Sequence, residues 1–220
     1  MAEVYQIQRR NHSLGFSVTL NLIILNIIAF IISFILLYKN PQFIDYIAIK
    51  PSNILQGKYL WTFLTSMFVH ANFFHIFVNM FSLLFVGSLV EKVLGRKRYF
   101  YFYMIAGLFA GMFFVLSGLF IQTDFNTYAV GASGALFGLV GLLMILTPNL
   151  PVYIMLIPIP IKMKYAAPGI LVVLWLISIA GNVPIGNTAH LGGLVAGLVY
   201  GVYLRNKYKR KIAMISKYFS

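Results

Sequence analysis

A chain of 220 residues that is 60% hydrophobic and only 10% charged falls well short of a soluble domain, in which about a quarter of the residues are charged. Its mean hydropathy of +0.87 therefore implies a membrane protein, with room for roughly six helical crossings of about 20 residues each. The absence of Cys excludes disulfides, thiolate catalysis and Cys-built metal centres, and the formal charge of +13 sits in short clusters between apolar runs, which favours anionic lipid over nucleic acid as partner.

The first apolar run, Phe16 to Tyr38, has no charge and is too long for the apolar region of a cleaved signal peptide, so it is expected to span. Residues 39 to 62 mix Lys39, Asp45, Lys50 and Lys58 with aromatic residues and are broken by Pro41, Pro51 and Gly57. That composition predicts an interfacial loop with aromatic anchors, expected to be mobile. Span 2 is predicted at Asn72 to Val90, and span 3 at Tyr99 to Phe120. Span 4 is predicted at Ala132 to Leu146, followed by a re-entering or interfacial connector rich in proline up to Lys164. The uncharged stretch Tyr165 to Leu204 divides around Gly181 to Asn187, giving span 5 at about Ala167 to Ala180 and span 6 at about Thr188 to Leu204. The expected fold class is all-α: a polytopic bundle of six transmembrane helices.

An even number of spans puts both termini on one side, and the distribution of basic residues selects that side. With cytoplasmic termini, 14 of the 17 basic residues lie inside and only Lys39, Lys50 and Lys58 outside. The chain then divides into a cytoplasmic N-terminal segment (1–15), a membrane domain (16–204) and a basic cytoplasmic tail (205–220). Spans 4 and 6 both start at the outer face, which sets Ser133 and His190 at similar depth.

Polar groups within spans are costly and call for a partner or a function. Span 2 carries His75 and Asn79, one helical turn apart, with His70 just before it. Span 4 opens on Gly131-Ala132-Ser133-Gly134 and span 6 on Ala189-His190-Leu191-Gly192-Gly193. A Ser and a His are the minimal pair for an activated hydroxyl nucleophile, since the imidazole takes the hydroxyl proton and returns it to the leaving group. Glycines at 134, 138 and 141, and at 193, 197 and 201, form small-residue faces that permit close helix approach, whether for packing alone or for a hydrogen bond between spans. A metal site is disfavoured because no carboxylate accompanies the histidines and the H-E-x-x-H spacing is absent. A proton-coupled transporter is disfavoured because no acid lies well inside a span.

These boxes together resemble the rhomboid family of intramembrane serine proteases. The matching elements are Gly131-Ala132-Ser133-Gly134, then Ala189-His190 with Gly193 and Gly197, and His70-Ala71-Asn72-Phe73-Phe74-His75 with Asn79, followed by Glu91 and Gly95. The resemblance covers about residues 14 to 205 and implies an endopeptidase that cleaves transmembrane protein substrates near the outer face, within lipid and without a cofactor. It implies a prokaryotic-type multi-pass protein of the cell membrane. By it, Ser133 is the nucleophile and His190 the general base; Asn79, His75 and the Ser133 N–H form the oxyanion hole. Phe137 corresponds to an aromatic that packs beneath the base, and Gly131 and Gly134 leave room for a substrate backbone. The outer loop departs from the family pattern, reading Trp61-Thr62 where many members have Trp-Arg. The rival readings are an inactive rhomboid-like scaffold that binds membrane proteins, and a small transporter or channel.

Overall fold

The computed structural model describes residues 17–153, 159–181 and 185–218. The main helices are α1 (Val18–Lys39), α2 (Phe73–Leu94), α3 (Arg96–Ser117), α4 (Ser133–Leu146), α5 (Met163–Gly181), α6 (Asn187–Lys207) and a terminal α7 (Lys209–Tyr218). The first six occupy the stretches expected to span, with ends displaced by a few residues. Phe16, the expected start of span 1, and residues 182–184 of the break before span 6 lie outside the described residues. Among the described residues, α1, α2, α3 and α5 are long and apolar enough to cross a membrane. The molecule is a polytopic helical membrane protein.

Burial sorts these helices into centre and rim. Only 17% of the most apolar window of α1, and 17% of that of α5, is buried within the protein, against 44% for α3. Helix α4 has 14 residues and buries most of them, from Gly134 to Leu146, so it is the central helix. Around it α3 contributes Tyr99, Tyr103 and Ala106, α2 contributes Leu83, and α4 itself contributes Leu139, Leu142 and Leu143. In lipid no hydrophobic force drives helices together, so this core depends on close packing and on satisfied polar groups.

Glu91, near the C-terminal end of α2, supplies one such tie. Its carboxylate accepts hydrogen bonds from the Val18 and Thr19 N–H groups, each 2.9 Å, and from the Thr19 hydroxyl at 2.7 Å. These donors belong to the first turn of α1, which has no intrahelical acceptors and carries the positive end of the helix dipole. Gly95, at φ +80°, ends α2 and turns the chain into α3. Between Asn79 and this end, residues Leu83–Gly87 widen into a π-helical turn.

Two connections differ from expectation. The connector after α4 contains a short antiparallel pair, β1 (Pro151–Val152) with β2 (Ile161–Lys162). The loop between α1 and α2, expected to be mobile, is docked. Ile49 and Ala129 exchange two backbone hydrogen bonds of 3.1 and 2.9 Å, and Ala48, Ile49, Pro51, Ser52 and Thr62 are buried. Tyr128 donates to Asp45 at 2.7 Å, and Asn53 donates to the same oxygen at 2.8 Å. Backbone pairing between segments 80 positions apart leaves no compositional trace, so the aromatic-rich loop reads as loose from sequence. At the Trp61-Thr62 departure, the Thr62 hydroxyl donates to the Tyr59 carbonyl at 2.7 Å. Tyr59 stands at φ +54°, a left-handed conformation that costs a bulky residue energy, and this bond helps close the turn locally.

Candidate active site

Ser133 is the first residue of α4, so its N–H has no acceptor four residues back in the helix. The chain reaches it through Gly131 at φ +120°, whose N–H is held by the Ser66 carbonyl at 2.8 Å. A Cβ on Gly131 would lie 2.8 Å from His75 Nε2 and 3.7 Å from Ser133 Oγ. Only glycine therefore leaves open the space between that imidazole and that hydroxyl, and only glycine adopts this backbone conformation without strain.

His190 sits in the first turn of α6, with its N–H bonded to the Gly186 carbonyl at 3.1 Å. Below it the two glycine faces meet. A side chain at Gly193 would collide with the Gly134 carbonyl and one at Gly197 with the Gly138 carbonyl, while a Cβ at Gly141 would lie 2.5 Å from the Leu194 carbonyl. On its other side α4 presses on α3, where Gly134 and Gly138 lie against the methyl groups of Ala110 and Ala106. This approach sets Ser133 Oγ 2.8 Å from His190 Nε2. The Phe137 ring, one turn along α4, stacks on the imidazole at 4.6 Å and 18°. His190 Nδ1 is buried and has no hydrogen-bond partner among the described residues.

The other expected site residues stand at graded distances from this pair. His75 points Nε2 at the space over Gly131, and its Nδ1 lies 3.4 Å from the Ala71 N–H. Asn79 is buried and donates one amide hydrogen to the His75 carbonyl at 2.8 Å, which leaves its second amide hydrogen for another acceptor. Among the described residues its hydrogen bond is to His75 and not to Ser133. His70 reaches the site only through His75, the two rings being edge to face at 5.1 Å.

Two supports of the site carry little signal in the sequence. Ser117 Oγ and Thr188 Oγ1 each lie 2.9 Å from Asp124 Oδ2 and 3.0 Å from one another. This cluster ties the end of α3 and the following loop to the first turn of α6, two residues before His190. The only sequence signal was an acid and two hydroxyls near predicted span ends. The other is the Ser66 carbonyl behind Gly131, a backbone contact without a side-chain signature.

The rhomboid domain model matches residues 57–207. Among curated proteins, RHOMBOID-like protein 1 of Arabidopsis thaliana is 37% identical over 157 residues, covering 70% of this chain and 37% of that protein. RHOMBOID-like protein 6, mitochondrial, of the same plant is 36% identical over 164 residues, 71% of this chain and 48% of the relative. Inactive RHOMBOID-like protein 8, also from Arabidopsis thaliana, is 31% identical over 140 residues, covering 62% of this chain and 36% of that protein. The chain thus spans less than half the length of these relatives. The matched domain contains α2 to α6, with the Ser133 and His190 pair and the glycine seam that joins them, and the chain belongs to the rhomboid family.

Proposed function

We propose that this protein is an intramembrane serine endopeptidase that cleaves transmembrane protein substrates near the outer membrane face. The observation that carries the reading is the 2.8 Å contact between Ser133 Oγ and His190 Nε2 across the glycine seam. Ser133 attacks the scissile carbonyl while His190 Nε2 takes the hydroxyl proton. The tetrahedral intermediate then collapses, the C–N bond breaks, and His190 returns the proton to the leaving amine. A water molecule activated by the same imidazole hydrolyses the acyl enzyme and regenerates Ser133. The Ser133 N–H, the His75 Nε2–H and the free Asn79 amide hydrogen serve as oxyanion donors, each able to stabilise the transition state by about 3 kcal/mol in a site without bulk water.

In this reading the base is oriented by packing. His190 accepts the Ser133 proton at Nε2 and so carries its own on Nδ1, which has no carboxylate partner among the described residues. The Phe137 ring holds the imidazole plane instead. Gly131 and Gly134 leave room for a substrate backbone, and His70 supports His75. No cofactor, metal or nucleic acid enters the scheme; the partners are membrane-protein substrates and lipid.

The proposed arrangement has six crossings within residues 16–204 and both termini cytoplasmic, residues 1–15 and 205–220 forming the cytoplasmic ends, in the cell membrane of a prokaryotic-type host. The bias of basic residues supports it, as does the position of Ser133 and His190 at helix ends opposite the basic C-terminal end of α6. A second reading, an inactive scaffold that binds membrane proteins, is favoured by one observation: a relative that carries the word inactive in its name. Purified full-length protein incubated with a single-span substrate, beside Ser133→Ala, separates the two. Cleavage by the wild type that is lost in the variant supports the protease; no cleavage by either protein supports the scaffold.

A further inference from the structure

The charge of this protein is not balanced from within. Its four acids are Glu3, which lies outside the described residues, and Asp45, Glu91 and Asp124, which are engaged with Tyr128 and Asn53, with α1, and with Ser117 and Thr188. From 125 to the C-terminus the chain has no acid at all, yet residues 205–211 contain Arg205, Lys207, Lys209, Arg210 and Lys211. Lys207 donates to the Tyr203 hydroxyl at 2.9 Å and lies over the rings of Tyr203 and Tyr208. Arg205, Lys209, Arg210 and Lys211 are exposed and have no partner among the described residues.

The basic residues are also given a shape. Where α7 turns back from the end of α6, a shallow groove of about 260 Å³ opens between Pro148, Arg205, Lys209, Ile212 and Ala213. Ile212 is buried and belongs to the main core, so it fixes α7 against the bundle. Ala213 and Met214 remain exposed beside it. The groove therefore combines two exposed cations, Arg205 and Lys209, with an apolar wall formed by Pro148, Ile212 and Ala213. It lies about 22 Å along α6 from His190, counting 1.5 Å per residue, near the far side of a hydrocarbon layer about 30 Å thick.

We propose that this groove binds the headgroup of an anionic phospholipid of the inner leaflet, the phosphate between Arg205 and Lys209 and the upper acyl chain along Ile212 and Ala213. Charge complementarity supplies the occupant: the chain has no acid for this face, whereas an anionic leaflet presents phosphates at this level. The apolar wall selects a lipid over a free phosphate. The site is independent of the proteolytic reading, since it shares no residue with the Ser133 and His190 pair.

The test uses full-length protein in neutral detergent with short-chain phosphatidylglycerol, phosphatidylcholine of the same chain length, or glycerol phosphate. Bound molecules are counted by native mass spectrometry and stabilisation is read from Tm. Phosphatidylglycerol is expected to be retained and to raise Tm, and phosphatidylcholine and glycerol phosphate to do neither at the same concentration. Each cation near an anionic surface contributes roughly fivefold in affinity, so R205Q combined with K209Q is expected to weaken binding roughly 10- to 30-fold. The pair K39Q with K58Q, on the opposite side, is expected to bind as wild type. Both target side chains are exposed, and an unchanged elution profile certifies that the variants are folded. Equal retention of the two lipids, equal stabilisation by glycerol phosphate, or wild-type affinity in the Arg205 and Lys209 double variant would each overturn the proposal.

Discussion

The ring of Phe137 lies 4.6 Å from the imidazole of His190 and within 18° of parallel to it. The two residues come from different helices and are both buried. Phe137 also packs with Leu194 and Ala167, so the ring stacked on the imidazole is itself clamped between α5 and α6. Phe137→Ala is expected to remove that support and to leave a cavity costing about 3 kcal/mol or more. Phe137→Leu should restore most of the volume without a flat face. If stacking orients the base, the Leu variant recovers Tm but not kcat, as read by thermal unfolding beside a cleavage assay.

Ser133→Ala and His190→Ala are each expected to abolish proteolysis while the protein still inserts and folds. A nucleophile and its base act as one unit, so the loss of either removes nearly all of the chemical acceleration, and the double variant should be no worse than the singles. Wild-type turnover by either single variant, measured on a purified single-span substrate, would contradict the proposed dyad.

Asn79→Ala is expected to lower kcat by about 10- to 1000-fold without a matching rise in KM, the range for loss of one oxyanion donor. His75→Ala should act similarly and should also reduce Tm, because the imidazole fills the space beside Gly131 and contacts His70. A change confined to KM would make these residues substrate-positioning groups instead.

Asp124→Asn and Asp45→Asn are expected to keep most of the activity at neutral pH, since an amide oxygen still accepts from Thr188 or Tyr128. The Tyr128 hydroxyl holds the Asp45 carboxyl below its ordinary value, aided by Asn53 and the Lys50 charge and opposed by burial. Burial, together with Asp45, raises Tyr128 to about 12. A depressed carboxyl contributes its stability above the unfolded pKa, about 3.9, and loses it as pH falls through the lower folded value. Docking of the loop is therefore intact at neutral pH and weakens only in that acid window. Tm measured against pH should fall there in wild type and fall less in Asp45→Asn. A loss of activity in Asp124→Asn as complete as in Ser133→Ala would replace the dyad with a triad.

No residue of α5 from Pro168 to Gly181 is buried, and the helix lacks a glycine seam, so its C-terminal half is held only loosely to the bundle. Tethering that half to the N-terminal start of α2, by a thiol cross-linker between cysteines replacing Ile179 and Phe74 in this Cys-free chain, is expected to block cleavage of a membrane-embedded substrate. Unchanged cleavage would move substrate entry to another face.

Much of this protein is legible in its sequence. Composition alone required membrane helices, because so few charges cannot solvate a surface, and uncharged runs located the six stretches that became α1 to α6. The small residues of α4 and α6 foretold a close approach, since a glycine row has few other uses in lipid. Ser133 and His190 stood out because a polar group at a span end is costly without a partner. Thr62 illustrates the limit: sequence marked it as a departure, but only the turn at Tyr59 shows the local bond its hydroxyl makes.

Sequence by itself determined the helices, their apolar lengths and the residues able to do chemistry, because helical periodicity and hydropathy act over a few neighbouring positions. Only the tertiary structure decided that Ser133 Oγ meets His190 Nε2 across 57 residues of chain, that Phe137 lies flat against that imidazole, and that the loop around Ile49 is pinned to Ala129. Those contacts depend on how closely two glycine faces and two backbone segments fit in space, and a fit between distant segments is a property of the packed surfaces together rather than of either stretch read alone.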